Sequence, residues 1–264
     1  MINIKKITQA LYFLNDDVLC KCKAKHVVCI RCQRCIADEP DQLITDMSTL
    51  NQYIDHTLLR PETKLSEIQQ LCLETNEHNF KTVCVNPCYV FYASNFLEPS
   101  KICTVVNFPL GANHKETNFY QTKKAMDNGA KEIDIVINLG NIKQKNYAYD
   151  EYENLALIAK LTRSYDAILK VIIETCLLTD EEIVIACLTA KKAGADFVKT
   201  STGFSFKGAE IDKVKLMRQV VGPKMGVKAS GGIKTKDQAI AFLKAGANRL
   251  GTSNSINIIS TQTS

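Results

Sequence analysis

One kind of join recurs along the chain and limits what it can fold into. Ala125-Met-Asp-Asn-Gly129-Ala130-Lys-Glu-Ile-Asp-Ile, Lys191-Lys-Ala-Gly194-Ala195-Asp-Phe-Val-Lys and Leu243-Lys-Ala-Gly246-Ala247-Asn-Arg-Leu-Gly share a plan. A helical stretch ends at a glycine suited to a left-handed cap, and an apolar strand begins almost at once. Short helix-to-strand joins repeated along a chain mean βα units on a parallel sheet. Apolar runs predict strands near 52–57, 80–86, 101–108, 131–138, 168–174, 196–201, 225–230 and 248–252, with helical patterns between them. Leu65 to Leu73 reads as one helix, with apolar residues at 65, 68, 71 and 73, and Thr179-Asp-Glu-Glu and Thr235-Lys-Asp-Gln open two others. Eight strands within residues 47–264 suit an α/β fold of the (β/α)8 TIM-barrel type at its small end. An open doubly wound sheet is the competing architecture.

Two of these strands carry a lysine in their middle, in Phe197-Val-Lys-Thr-Ser-Thr-Gly203 and Val227-Lys-Ala-Ser-Gly-Gly232. A strand covered on both faces reads as a nearly continuous apolar run, so Lys199 and Lys228 need a reason. A buried ammonium is costly and can relieve the cost by losing its proton. Two side by side on adjacent strands sharpen that expectation, and a neutral amine is the nucleophile of imine chemistry. Glu132, Asp134 and Asn138 share one parity on the fourth strand, while Ile133, Ile135 and Ile137 share the other. Asp134 is therefore expected inside the barrel, where a carboxylate can hold a lysine's charge and relay protons. The fifth strand adds Lys170 and Glu174, again of one parity. A structural ion-pair floor would explain any one of these residues, but not two lysines and a matching aspartate beside glycine-rich strand ends.

Glycine turns follow the last three strands at Gly203, Gly231-Gly232 and Gly251-Thr-Ser253. Backbone N–H groups from such turns make anion pockets, and Lys207 and Lys234 lie close enough in sequence to add charge. A phosphorylated small molecule is the expected ligand. The net charge of +5 is scattered among acids with no aromatic stripe, which argues against nucleic acid. No apolar run reaches the ~18 residues a membrane span needs, so a cytoplasmic location is expected.

These motifs are also where the chain resembles a known family. From about Tyr53 to Asn254 it resembles the deoxyribose-phosphate aldolases, class I enzymes that form Schiff bases on a (β/α)8 barrel. The likeness rests on Tyr53-Ile-Asp-His-Thr-Leu-Leu, Thr82-Val-Cys-Val-Asn-Pro, Val105-Val-Asn-Phe-Pro-Leu-Gly, Glu132-Ile-Asp-Ile-Val-Ile-Asn, Leu169-Lys-Val-Ile-Ile-Glu-Thr and the two lysine strands. It implies reversible cleavage of 2-deoxy-D-ribose 5-phosphate to D-glyceraldehyde 3-phosphate and acetaldehyde, with no metal or organic cofactor. It also implies Lys199 as imine-forming nucleophile, Lys228 as the lysine that keeps it deprotonated, and Asp134 as general acid and base through water. Asp55 and Lys170 would support this network, with Cys84 near the aldehyde. Thr202 would sit beside the sugar, and Gly203, Gly231, Gly232, Gly251 and Ser253 would form the phosphate pocket. A homodimer is the expected assembly. Another class I aldolase or transaldolase on a different phosphosugar, and a non-catalytic phosphosugar-binding barrel, are the alternatives.

The chain departs from the family pattern in three places. Lys207 and Glu210 stand where small or hydroxyl residues are usual, the first expected to strengthen phosphate binding and the second to oppose it. Asn254-Ser255 follows Gly251-Thr-Ser, and the last helix is expected to be short. No tyrosine follows Tyr165, so a C-terminal tyrosine cannot assist the site. Residues 1–46 lie outside the resemblance and hold Cys20, Cys22, Cys29, Cys32 and Cys35. Two-residue gaps between cysteines occur in structural zinc sites, but this cluster is more compressed than the usual paired spacing. The segment reads instead as a cysteine-rich, flexible extension, with Met47 as an alternative start of translation.

Overall fold

A computed structural model of the protein describes residues 47–144 and 148–260. The N-terminal extension, and with it the cysteine cluster between Cys20 and Cys35, lies outside the described residues. After a 3-10 turn at Met47–Tyr53 the chain alternates strand and helix. The strands are β1 (Ile54–Leu58), β2 (Thr82–Val85), β3 (Ile102–Val106), β4 (Glu132–Val136), β5 (Ile168–Ile172), β6 (Phe197–Lys199), β7 (Gly226–Ser230) and β8 (Arg249–Thr252). Each pairs in parallel with the next, and β8 returns to β1 to close a barrel. The open-sheet alternative is thereby excluded.

The helices are α1 (Leu65–Glu77), α2 (Val90–Ala93), α3 (Lys115–Asp127), α4 (Leu139–Lys143), α5 (Ala148–Ser164), α6 (Asp180–Ala193), α7 (Ile211–Val221), α8 (Lys236–Lys244) and α9 (Ser255–Ser260). Thr179 and Thr235 open α6 and α8 as capping boxes with Glu182 and Gln238, as their spacing predicts. Gly194 closes α6 in the left-handed conformation, at φ 86°. Between β2 and β3 the helix shrinks to the single turn of α2, flanked by 3-10 turns that begin at Pro87 and Pro99. Strand six is shorter than predicted, because the chain leaves the sheet after Lys199 to build the Thr200–Gly203 turn.

Parity divides the barrel wall. Ile133 and Ile135 on β4, with Val171 on β5 and Val198 on β6, face the helical shell and are fully buried there. The alternate positions point inward and carry the polar set. In-register pairs place Asp134 beside Lys170, and Lys199 beside Lys228. Lys228 in turn neighbours Arg249, and Asp55 neighbours Gly251. Strand C-terminal ends all emerge at one mouth, which is where barrel chemistry is assembled. Among the described residues no helix is long and apolar enough to cross a membrane.

One buried carboxyl in the shell stands apart from this interior. Glu151 on α5 is 2 % exposed, below the turn at Asn138–Asn141 that follows β4. Burial pushes its carboxyl up from 4.5 to about 7, against hydrogen bonds from Asn138, Asn154 and Asn141. The folded state thus prefers the neutral acid. Below the unfolded value the preference costs nothing, and as pH rises to the folded value the penalty grows to about 3 kcal/mol. Glu151→Gln, which mimics the neutral acid, is expected to raise Tm at pH 8 by several degrees and to leave it nearly unchanged at pH 4. An equal shift at both values would show that Glu151 is not the titrating group.

Candidate active site

A cavity of about 650 Å³ opens at the C-terminal mouth of the barrel. On one side it is walled by the turns after β6, β7 and β8, and on the other by the start of the loop after β1. Lys199 lines it, whereas Lys170 and Lys228 stay sealed in the barrel interior, both fully buried. Thr202, Gly203, Gly231, Gly232, Gly251 and Ser253, all predicted from sequence, line the same cavity.

The interior charges form one connected cluster. Asp134 Oδ2 accepts from Lys199 Nζ at 2.9 Å and from Lys228 Nζ at 2.8 Å, and its Oδ1 accepts from Lys170 Nζ at 2.8 Å. Asp55 accepts from Lys228 at a very short distance and from Arg249 at 2.6 Å. Glu132 pairs with Lys170 at 2.6 Å and with Arg249 at 2.9 Å. Asp55, Glu132 and Asp134 thus face Lys170, Lys199, Lys228 and Arg249: three acids against four bases. The sum of the full charges leaves one cation without a counter-charge.

The electrostatics correct one sequence argument. Burial does push Lys170 and Lys228 toward the neutral form, as expected. For each, the buried carboxylates outweigh it, Asp134 most of all, and the net shift is upward. Asp134 and Asp55 show the mirror image: burial raises them, but their cationic neighbours hold both well below the usual carboxylate range. Lys228 and Lys170 therefore stay charged at neutral pH.

Cys84 and Cys103 sit in register on β2 and β3, and both are buried. The Cys103 thiol donates to Asp134 Oδ1 at 3.2 Å and accepts from Lys170 Nζ at 3.2 Å. A hydrogen bond with Cys103 holds the Cys84 thiol below its ordinary value, while burial pushes Cys103 up. The ligand atoms of Cys84, Cys103 and Asp134 lie within 4.8 Å of one another. A cation there would have to displace lysines from Asp134 in a cluster that already carries surplus positive charge. The residues fit a metal poorly.

The mouth is shaped for an anion. Gly231 and Gly232 have φ values of 86° and 79°, a conformation that favours glycine. A Cβ on Gly208 would fall 2.1 Å from the Gly231 carbonyl oxygen, so the loop after β6 crosses directly over the end of β7. Ala209 N–H donates to that carbonyl at 3.1 Å and fastens the crossing. Lys234 lines the cavity, as predicted, and Arg60 joins it from the loop after β1, its guanidinium paired with Glu67 at 2.5 Å and with Glu62 at 3.6 Å. Lys207 does not: it is exposed and pairs with Glu210 at 3.2 Å, so the two departures from the family pattern neutralise each other at the surface. Glu174 lies just beyond β5 with φ 48°, and its buried carboxylate accepts from the Thr202 N–H and hydroxyl. That contact holds the Thr202–Gly203 turn against the wall. Asn254 borders the cavity next to Ser253.

Sequence reading missed Arg60, Arg249 and Cys103. Arg249 carried a usable signal, a charged residue inside the apolar run Asn248-Arg-Leu-Gly with the parity of Gly251. Arg60 had none, because only folding brings its loop to the mouth.

A family model described as DeoC/LacD family aldolase matches residues 49–258. A deoxyribose-phosphate aldolase from Clostridium novyi is 51 % identical over 212 residues, 80 % of this chain and 95 % of that protein. One from Streptococcus gordonii is 52 % identical over 216 residues, covering 81 % and 97 %. Among solved structures, an aldolase designated QR15 superposes with a TM-score of 0.76 at 39 % identity, over 79 % of this chain and 93 % of its own. The tetrameric deoxyribose phosphate aldolase of Aeropyrum pernix gives a TM-score of 0.76 at 32 % identity, over 82 % and 92 %. An inward-facing lysine–carboxylate cluster beneath a glycine-walled cavity, on a chain so closely matched over nearly the whole barrel, places this protein in the DeoC/LacD family of aldolases.

Proposed function

We propose that this protein is a deoxyribose-phosphate aldolase, a lyase that cleaves 2-deoxy-D-ribose 5-phosphate reversibly through a Schiff base on Lys199. One observation carries the assignment of the nucleophile. Three carboxylates cannot neutralise four buried bases, and Lys199 is the lysine of the cluster that borders the cavity. It is the one amine of the cluster that a substrate aldehyde in the cavity can reach.

The chemistry follows from the layout. The amine adds to the sugar's C1 aldehyde, and loss of water gives the imine. Removal of the proton from the C3 hydroxyl lets the C2–C3 bond break, its electron pair passing into the imine to form an enamine. Glyceraldehyde 3-phosphate departs, C2 takes a proton, and hydrolysis frees acetaldehyde and the lysine. Asp134, 2.9 Å from Lys199 Nζ, is placed to move these protons through water. Gly203, Gly231, Gly232, Gly251 and Ser253, with Lys234, hold the phosphate, and Thr202 lies along the sugar. Binding energy from the remote phosphate aligns C1 over the amine. Cys84 fills the wall behind Asp134. An oligomer and a cytoplasmic location accord with this reading, and light scattering on the purified chain would decide between dimer and tetramer.

The testing assay follows acetaldehyde and glyceraldehyde 3-phosphate released from 2-deoxyribose 5-phosphate. Lys199→Ala is expected to abolish release, and Asp134→Asn to slow it by about 10²- to 10⁴-fold. Wild-type protein that leaves the sugar phosphate intact would overturn the assignment.

The charge count makes a second, thermodynamic prediction. Either variant leaves three bases against three acids, but Lys228→Leu takes a contact cation from both Asp55 and Asp134 in the sealed interior and should cost about 3–5 kcal/mol. Lys199→Leu takes one contact from Asp134 at the cavity wall and should cost far less. In a domain this size each kcal/mol moves Tm by about 2–4 °C. Scanning calorimetry should therefore rank Lys228→Leu well below Lys199→Leu, and equal losses would refute this division between sealed interior and cavity wall.

A further inference from the structure

His56 follows Asp55 on β1, so it points away from the barrel interior and into the helical shell. It is only 4 % exposed there. Its Nε2 lies 2.7 Å from Glu74 Oε2 on α1, and its Nδ1 lies 2.8 Å from Ser255 Oγ at the start of α9. The ring packs against Phe80, with centroids 5.0 Å apart. Burial disfavours a second ring proton, and although Glu74 pulls the other way the net direction is down. A neutral imidazole has one N–H, and a carboxylate can only accept. The proton therefore belongs on Nε2, and Nδ1 at 2.8 Å accepts from the Ser255 hydroxyl in preference to the Thr252 carbonyl, which lies 3.2 Å from the same oxygen.

Serine, histidine and glutamate in this order have the make-up of a hydrolytic triad. Ser255 is fully buried and does not line the cavity, so its hydroxyl cannot meet a substrate. What it adjoins is the phosphate side of the mouth. Thr252, Ser253 and Asn254 border the cavity immediately before it. The inner end of this turn is tied down by Thr252, whose hydroxyl donates to Ile233 O at 2.7 Å and accepts from Asn254 N–H at 2.9 Å. The outer end is tied at Ser255, through His56, to Glu74 some 180 residues earlier in the chain, and so to α1. A six-residue helix such as α9 has little hold of its own on that end.

We propose that His56 is a positioning residue for phosphate recognition, bracing the Thr252–Ser255 turn against α1 from behind the barrel wall. It touches neither the sugar nor Lys199. Its loss should loosen the grip on the phosphate while leaving the covalent chemistry intact. The proposal rests on the aldolase reading for its substrate, but the brace itself is legible without turnover.

The test compares Ser255→Ala, His56→Leu and His56→Gln in the full chain. Ser255→Ala removes a single oxygen and keeps the His56–Glu74 pair, so it guards against a His56 variant that fails to fold. In Ser255→Ala and His56→Leu the KM for 2-deoxyribose 5-phosphate should rise about tenfold, the worth of one or two hydrogen bonds. The kcat should stay within about twofold, and cleavage of unphosphorylated 2-deoxyribose should be unchanged. His56→Gln, whose amide can donate to Glu74 and accept from Ser255, should recover most of the loss. Inorganic phosphate, titrated by 31P NMR, should bind the two weakened variants about tenfold less tightly than wild type. Equal losses on both sugars, or an unaltered phosphate affinity in Ser255→Ala, would overturn the proposal. Wild-type protein that binds phosphate yet cleaves neither sugar would sink the aldolase reading, with the phosphate titration still deciding the role of His56.

Discussion

The carboxylate of Asp134 is the interaction on which the remaining structure depends. It sits at the centre of the parallel barrel and accepts from Lys170, Lys199 and Lys228 at 2.8–2.9 Å. A barrel interior is ordinarily packed with branched apolar side chains. Here the middle of the barrel is ionic, and each long lysine is extended and fixed at its tip. Taking such charges out of water is tolerable only because every carboxylate is met by two or more cations at contact distance. The same arrangement aims the Lys199 amine at the cavity with little freedom to wander, which is the preorganisation that covalent catalysis requires. Stability and reactivity are thus two consequences of one set of ion pairs, and the odd base in the count is the one at the cavity wall.

The proposed site is divided between two parts of the barrel. Strand interiors supply the charge cluster, while the turns after β6, β7 and β8, with the start of the loop after β1, wall the cavity. The two parts meet at Lys199 and Thr202. The pocket needs backbone contacts that larger residues would block, as the Gly208–Gly231 crossing shows. Its turns are tied to their surroundings: Glu174 accepts from Thr202 within the site, and Ser255 meets His56 in the shell. A substrate anchored at its phosphate end reaches the amine with its aldehyde.

Much of this was legible along the chain. The Gly129, Gly194 and Gly246 joins marked where helices yield to strands, and strict parity on β4 separated Asp134 from Ile133 and Ile135. Those signals are local, and locality is why they worked. Most of what failed depended on partners distant in sequence. Burial alone pointed to a deprotonated Lys228, yet it holds its proton because Asp55 and Asp134 arrive from other strands. Lys207 looked like a phosphate ligand by proximity, but Glu210, three residues on, claims it. Arg60 had no local mark at all. The structural role of Glu174 depended on a left-handed backbone that an ordinary residue rarely adopts, and no pattern announced it. The cysteine cluster of residues 1–46 lies outside the described residues.

The most direct test of the account is covalent. The protein is incubated with acetaldehyde, reduced with borohydride, digested and mapped by mass spectrometry. The account predicts a single two-carbon adduct on the ε-amine of Lys199. An adduct on Lys170, on Lys228 or on surface lysines alone, or none at all, would contradict it.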